Sequence, residues 1–161
     1  MHRYRILFLC ALLLTGCGKS GKPAAESTTT GGGAGAAATI SLADVAGTWD
    51  GKVTLAGNDT VITVTELTAT AEPTGWMMMV ANAKTPTKMT SAPVTSVVAA
   101  GDSLVVDAGP YSSVLRAGQQ VTTHGVYRLQ DGKLVGTVVA TYPASGQMLT
   151  LHSEATRRAA K

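Results

Sequence analysis

From Ile40 to Glu154 the chain is written in short runs of Val, Thr and Leu that alternate in polarity. Each run stops at a cluster of Gly, Pro, Asn or Asp after roughly the eight to twelve residues expected of an all-β domain. An alternation of period two puts successive side chains on opposite faces, so each run can bury one face and wet the other. Helical periodicity is almost absent. In the first run Trp49, Gly51, Val53 and Leu55 fall on one face, and Thr48, Asp50, Lys52 and Thr54 on the other.

The turns divide the sequence into about eight strands. Ala56-Gly57-Asn58-Asp59 ends the first; Thr60 to Ala71 stops at Glu72-Pro73-Thr74-Gly75; Trp76 to Ala83 stops near Thr85-Pro86. Pro93 to Ala99 and Ser103 to Asp107 flank Ala100-Gly101-Asp102, and a break is expected at Ala108-Gly109-Pro110, followed by a compact connection from Tyr111 to Gly118. Gln120 to Leu129 and Lys133 to Tyr142 flank Asp131-Gly132, whose tolerance of positive φ suits a tight hairpin, and Gln147 to Glu154 follows Pro143-Ala144-Ser145-Gly146. Eight antiparallel strands in chain order close most simply as an up-and-down β-barrel, which removes exposed edges; a β-sandwich is the alternative.

The first 39 residues obey different rules. A basic start (His2, Arg3, Arg5) and an apolar run, Ile6 to Leu14, end at Leu14-Thr15-Gly16-Cys17. The run is shorter than the roughly 20 residues of a spanning helix, and this order of features marks a processed leader over residues 1–16. An uncleaved anchor, or a secretory leader cut elsewhere, is the alternative. Leu14-Thr15-Gly16-Cys17 resembles the lipobox of bacterial lipoproteins, which implies diacylglyceryl transfer to Cys17, cleavage before it and acylation of its new amino group. Two or three chains on one cysteine hold a protein to a membrane almost permanently. In that family Gly18, rather than an aspartate, after the cysteine implies the outer membrane, so the resemblance places the protein in the bacterial envelope, lipid-anchored and facing the periplasm.

Residues 17–39, rich in Gly, Ser, Thr and Ala, form a tether, and residues 40–161 the domain. Of 13 basic and 10 acidic residues, Arg3 and Arg5 leave with the leader, and Lys19, Lys22 and Glu26 lie in the tether, so the domain carries equal numbers of each sign. Its charges are scattered without a basic stripe interleaved with aromatics, which argues against nucleic acid as a partner. Cys10 leaves with the leader and Cys17 would be modified, leaving no thiol for a disulfide or a thiolate metal site.

Gly47-Thr48-Trp49 at the head of the first strand resembles the Gly-x-Trp motif of lipocalin and avidin barrels. That resemblance implies a tryptophan plugging the closed end, with Arg157 or Arg158 packed across its ring. A tryptophan that merely starts a buried strand is the alternative. Avidins line their site with several tryptophans, whereas Trp76 is the only other one here, so biotin is not implied. The domain also resembles small envelope lipoproteins of bacteria.

Chemistry is thinly signalled. Trp76-Met77-Met78-Met79 is the most unusual local composition; as a strand it puts Trp76, Met78 and Val80 on one face, either as core filler or as the lining of an apolar ligand site. Soft-metal binding with His124 or His152, for example of Cu(I), is a third reading without a coordinating spacing. Tyr111 and Arg116, at the longest break in the strand rhythm, could close a barrel mouth over a ligand, or the segment could simply turn a corner. His152 and Glu154 share a face, yet no nucleophile accompanies them, so no enzyme, catalytic residue, metal or cofactor is expected. Asn58-Asp59-Thr60 fits a glycosylation sequon but reads as a turn. The expectation is a lipid-anchored module that holds a small apolar ligand, or a filled barrel that offers its surface to another envelope protein.

Overall fold

The computed structural model describes residues 39–159. The leader, Cys17 and nearly all of the tether lie outside the described residues. A single helical turn, α1 (Leu42–Val45), is followed by β1 (Gly47–Leu55), β2 (Val61–Ala69), β3 (Met77–Asn82), β4 (Thr90–Ala100), β5 (Ser103–Ser112), β6 (Gln120–Gln130), β7 (Lys133–Tyr142) and β8 (Gln147–Arg157). Each strand pairs antiparallel with the next in sequence, and β1 also pairs with β8, so the sheet is a closed eight-stranded up-and-down barrel. Closure excludes the sandwich, which would leave two separate sheets. Among the described residues no helix is long and apolar enough to cross a membrane.

The alternation in the sequence becomes inside and outside. Trp49, Gly51 and Val53 stand opposite Leu67, Thr65 and Thr63, and those opposite Met78, Val80 and Asn82, all on the inner face. The outer wall carries Lys52, Glu66, His124, His152 and Glu154. An apolar interior with a charged exterior is the reverse of a membrane-spanning barrel.

Two departures from the sequence reading have local causes. The fifth strand does not end at Asp107 but runs on to Ser112 through Gly109-Pro110, where the register against β6 shifts between Ala108 and Tyr111. A bulge leaves residues out of the ladder, so proline's missing N–H costs nothing there. Gly109 has φ 108°, and a Cβ at this position would lie 2.7 Å from the Val121 carbonyl oxygen, so only glycine fits. The helical turn α1 was not expected; it is set by a capping box in which the Ser41 hydroxyl accepts from the Asp44 N–H and the Asp44 carboxylate accepts from the Ser41 N–H at 2.9 Å. That bonding holds the Asp44 carboxyl below the usual carboxylate range.

Candidate functional site

The two ends of the barrel differ. At one end α1 lies across the opening and Trp49, fully buried, fills it. The indole N–H donates to the Val45 carbonyl at 2.7 Å, which fixes the ring beneath the helix. The Arg157 guanidinium stacks on the indole 4.4 Å from its centroid and donates to the carbonyls of Asp44 and Ala46. Register explains the contact, because Trp49 and Arg157 are direct partners across the β1–β8 pair. Arg158, the next residue, points to the outer wall and pairs with Asp50 and with Glu66 at 2.7 Å. The neighbouring guanidinium holds the Asp50 carboxyl below its ordinary value. This end is sealed.

The other end is the mouth, bounded by the β1–β2, β3–β4 and β7–β8 turns and by the β5–β6 loop at 113–119. That loop folds over the opening: the Asn82 side chain donates to the Val114 carbonyl at 3.1 Å, the Ser113 hydroxyl lies 3.2 Å from that of Tyr142, and Arg116 stacks 4.2 Å from the Tyr142 ring centroid while donating to Gln147. The Gln119 side-chain oxygen is buried with no hydrogen-bond partner among the described residues.

Beneath the loop is a cavity of about 70 Å³. Its walls are Val53, Val80, Val138 and Leu151 among the aliphatics, with Met78 and three tyrosines, Tyr111, Tyr127 and Tyr142. The polar lining consists of hydroxyls, from Thr63, Thr65, Thr123, Ser113 and Ser153 besides the phenols; no charged side chain lines it. Burial pushes the Tyr127 hydroxyl up to about 12 and raises that of Tyr111, against the opposing influence of Ser153 and Thr123 respectively. Both phenols are neutral donors over the physiological range.

Tyr127 occupies much of the interior because two inward positions beside it, Gly125 and Gly136, have no side chain. A Cβ at Gly136 would lie 2.2 Å from the Val126 carbonyl oxygen and 2.8 Å from the Tyr127 ring, and one at Gly125 2.5 Å from that ring. A Cβ at Gly51 would lie 2.2 Å from the Thr65 hydroxyl. Gly125 and Gly136 are conditions for the Tyr127 ring's position, as Gly51 is for the Thr65 hydroxyl, and alternation alone does not reveal them.

The residues singled out from the sequence separate accordingly. Met78 and Tyr111 line the cavity and Arg116 sits on its lid. Trp76 is not part of the lining: it precedes β3, packs in the same cluster as Trp49, Val45 and Leu67 toward the sealed end, and donates its indole N–H to the Glu72 carbonyl at 2.7 Å. Met77 is 63% exposed on the outer face, so consecutive methionines do point oppositely. His124 lies on the outer wall 2.7 Å from Asp107, and His152 is exposed between Thr54 and Thr137. Neither histidine lines the cavity with Met78, and among the described residues no group of three His, Cys, Asp or Glu side chains could hold a metal ion. Glu154 pairs with Lys133 at 2.8 Å rather than with His152. The lining residues missed from the sequence, Tyr127, Tyr142 and Ser153, carried a signal only in their inward parity.

Together these features define a closed β-barrel with one end sealed by a tryptophan–arginine stack and a small, uncharged, hydroxyl-bearing cavity under a loop at the other. Comparison with protein-family models, curated proteins and solved structures returns no match for this chain.

Proposed function

We propose that the protein is a lipid-anchored envelope module that binds, without catalysis, the apolar end of a small ligand in its barrel, as a lipocalin-like domain would. The observation that carries this reading is the cavity beneath the 113–119 loop, apolar with scattered neutral hydroxyls and no charge. Such a lining favours an apolar group with at most one or two hydrogen-bonding atoms and disfavours a buried ion. Its volume of about 70 Å³ is well below the 300–1,000 Å³ of drug-sized sites, so anything larger than a short chain end requires the loop to lift. Membrane attachment through Cys17 and an outer-membrane address facing the periplasm belong to the same proposal and rest on the lipobox.

A second reading, a filled barrel acting through protein contacts, is supported by Tyr127 lying across the interior over Gly125 and Gly136. Native mass spectrometry of the full chain purified from a bacterial envelope, incubated with envelope lipid extract, separates the two. A reproducible small-molecule adduct, lost when Val138→Phe fills the cavity, is the expected result. A bare mass under every condition refutes ligand binding and leaves the filled barrel.

A further inference from the structure

The mouth differs from the rest of the surface in how its charges are partnered. At the sealed end and along the walls most cations are matched: Arg158 by Asp50 and Glu66, Arg128 by Asp102 at 2.9 Å, Lys133 by Glu154, and Arg157 by two backbone carbonyls, while Lys52 stands alone on the outer wall. At the mouth, Lys84 and Lys88 on the β3–β4 turn and Arg116 on the loop take part in none of the ion pairs found among the described residues. Only one carboxylate, Asp59 on the β1–β2 turn, accompanies these three cations. Large apolar side chains stand exposed at three separate places around the same opening: Leu55 at the end of β1 at 38%, Met89 on the β3–β4 connection at 39% and Met148 at the start of β8 at 67%. The other exposed apolar side chains, such as Met77 and Val98, lie away from this cluster of unpaired cations.

We propose that the mouth of the barrel docks on an anionic lipid surface, with Leu55, Met89 and Met148 entering the headgroup region and Lys84, Lys88 and Arg116 meeting the phosphates. Long, flexible apolar side chains flanked by lysines are the composition that seats peripheral proteins at a bilayer interface. Each lysine near an anionic surface strengthens binding about fivefold at moderate salt. The apolar residues ring an opening instead of forming one flat patch, which fits a deformable lipid surface better than a rigid protein face. Reach is sufficient. The described chain begins at Thr39 by the sealed end, where the Ile40 N–H donates to the Gly101 carbonyl at 2.8 Å. The segment from Cys17 can extend about 3.3–3.6 Å per residue, enough to let the barrel turn its mouth to the membrane that holds the lipid. The inference does not require that the cavity hold a ligand.

The test uses the full chain reconstituted into vesicles, with an environment-sensitive fluorophore on Met89→Cys, on Met148→Cys, or on Glu72→Cys at the sealed end. The unsubstituted chain, carried through the same labelling, is the blank. On phosphatidylglycerol vesicles the two mouth positions should blue-shift and brighten several-fold; on phosphatidylcholine, and for Glu72→Cys on either, they should not. Adding Lys84→Gln and Lys88→Gln should remove most of the anionic response, while Lys52→Gln on the outer wall should leave it intact. An equal response at Glu72→Cys, an equal response on neutral lipid, or a silent mouth overturns the proposal. So does a mouth response that arises only when envelope proteins are added, which would identify an acidic protein partner instead.

Discussion

Removing the tryptophan plug is the sharpest test of how this barrel is held together. Trp49 is fully buried, and a side chain of its size takes about 150–250 Å² out of water, worth about 4–6 kcal/mol at 25 cal/mol per Å². Part of that area is already covered in a compact unfolded chain, which trims the figure. Against this, Trp49→Ala leaves a void and deprives the Val45 carbonyl of its 2.7 Å partner. The expected loss is about 3–5 kcal/mol, a large share of the stability of a domain this size. Arg157→Ala removes only the exposed cation above the ring and its carbonyl bonds, so it should cost about 1 kcal/mol. Urea unfolding of the Cys17→Ser chain, followed by far-ultraviolet circular dichroism to avoid the lost fluorophore, measures both. A Trp49→Ala loss below about 1 kcal/mol, or a larger loss for Arg157→Ala, would refute the argument that the buried ring is what seals this end.

Three further outcomes follow from the same structure. Gly136→Ala should cost about 1–3 kcal/mol or more in the same urea assay, because its Cβ would meet the Val126 carbonyl oxygen at 2.2 Å, whereas Gly146→Ala, in an open turn, should cost less. Spectrophotometric titration should find the Tyr127 phenol ionising only at about 12. Since that value lies above the unfolded phenol's, stability from this group is complete below about pH 10 and is lost as pH rises toward about 12, which alkaline unfolding curves with and without Tyr127→Phe would show. Cys17→Ser should leave the barrel's circular dichroism unchanged and, after a high-salt wash that releases protein held by charge alone, move the protein from the membrane to the soluble fraction; retention through that wash would contradict anchoring through that residue.

The barrel was legible in the sequence because period-two alternation and turn residues act locally: Asp131-Gly132 and Pro143-Ala144-Ser145-Gly146 fix hairpins whatever the rest of the chain does. Lys133–Tyr142 has the bounds read from the sequence. Gly109-Pro110 misled because proline breaks a regular ladder but not a bulge, and a bulge depends on the partner strand. The helical turn α1 was missed because its capping box spans only four residues. At the cavity, Met78 was reachable from parity, and Tyr111 lines it from β5 instead of the connection in which the sequence placed it; Trp76 belongs to the other end because β3 starts at the sealed end and runs toward the mouth, a direction that parity does not carry. Choosing Arg157 over Arg158 required the register between the first and last strands, which no local pattern carries.

That same first-to-last pairing has a bearing on how the molecule assembles. All other strand pairs join sequence neighbours through short connections, so they can form as local hairpins. The β1–β8 seam alone must bring together residues such as Ala46 and Arg157, 111 positions apart, and the entropy of closing so long a loop is recovered only when the whole sheet curls. Before that moment Trp49 has no Arg157 above it, and the sheet has two bare, mutually complementary edges. A second unclosed copy can satisfy those edges as well as the chain's own opposite strand can, giving an exchanged dimer. The exchanged seam would complete the same Trp49–Arg157 plug, so what favours closure within one copy is tethering: the chain's own eighth strand is held near its first at a concentration that a second copy matches only when copies are crowded together.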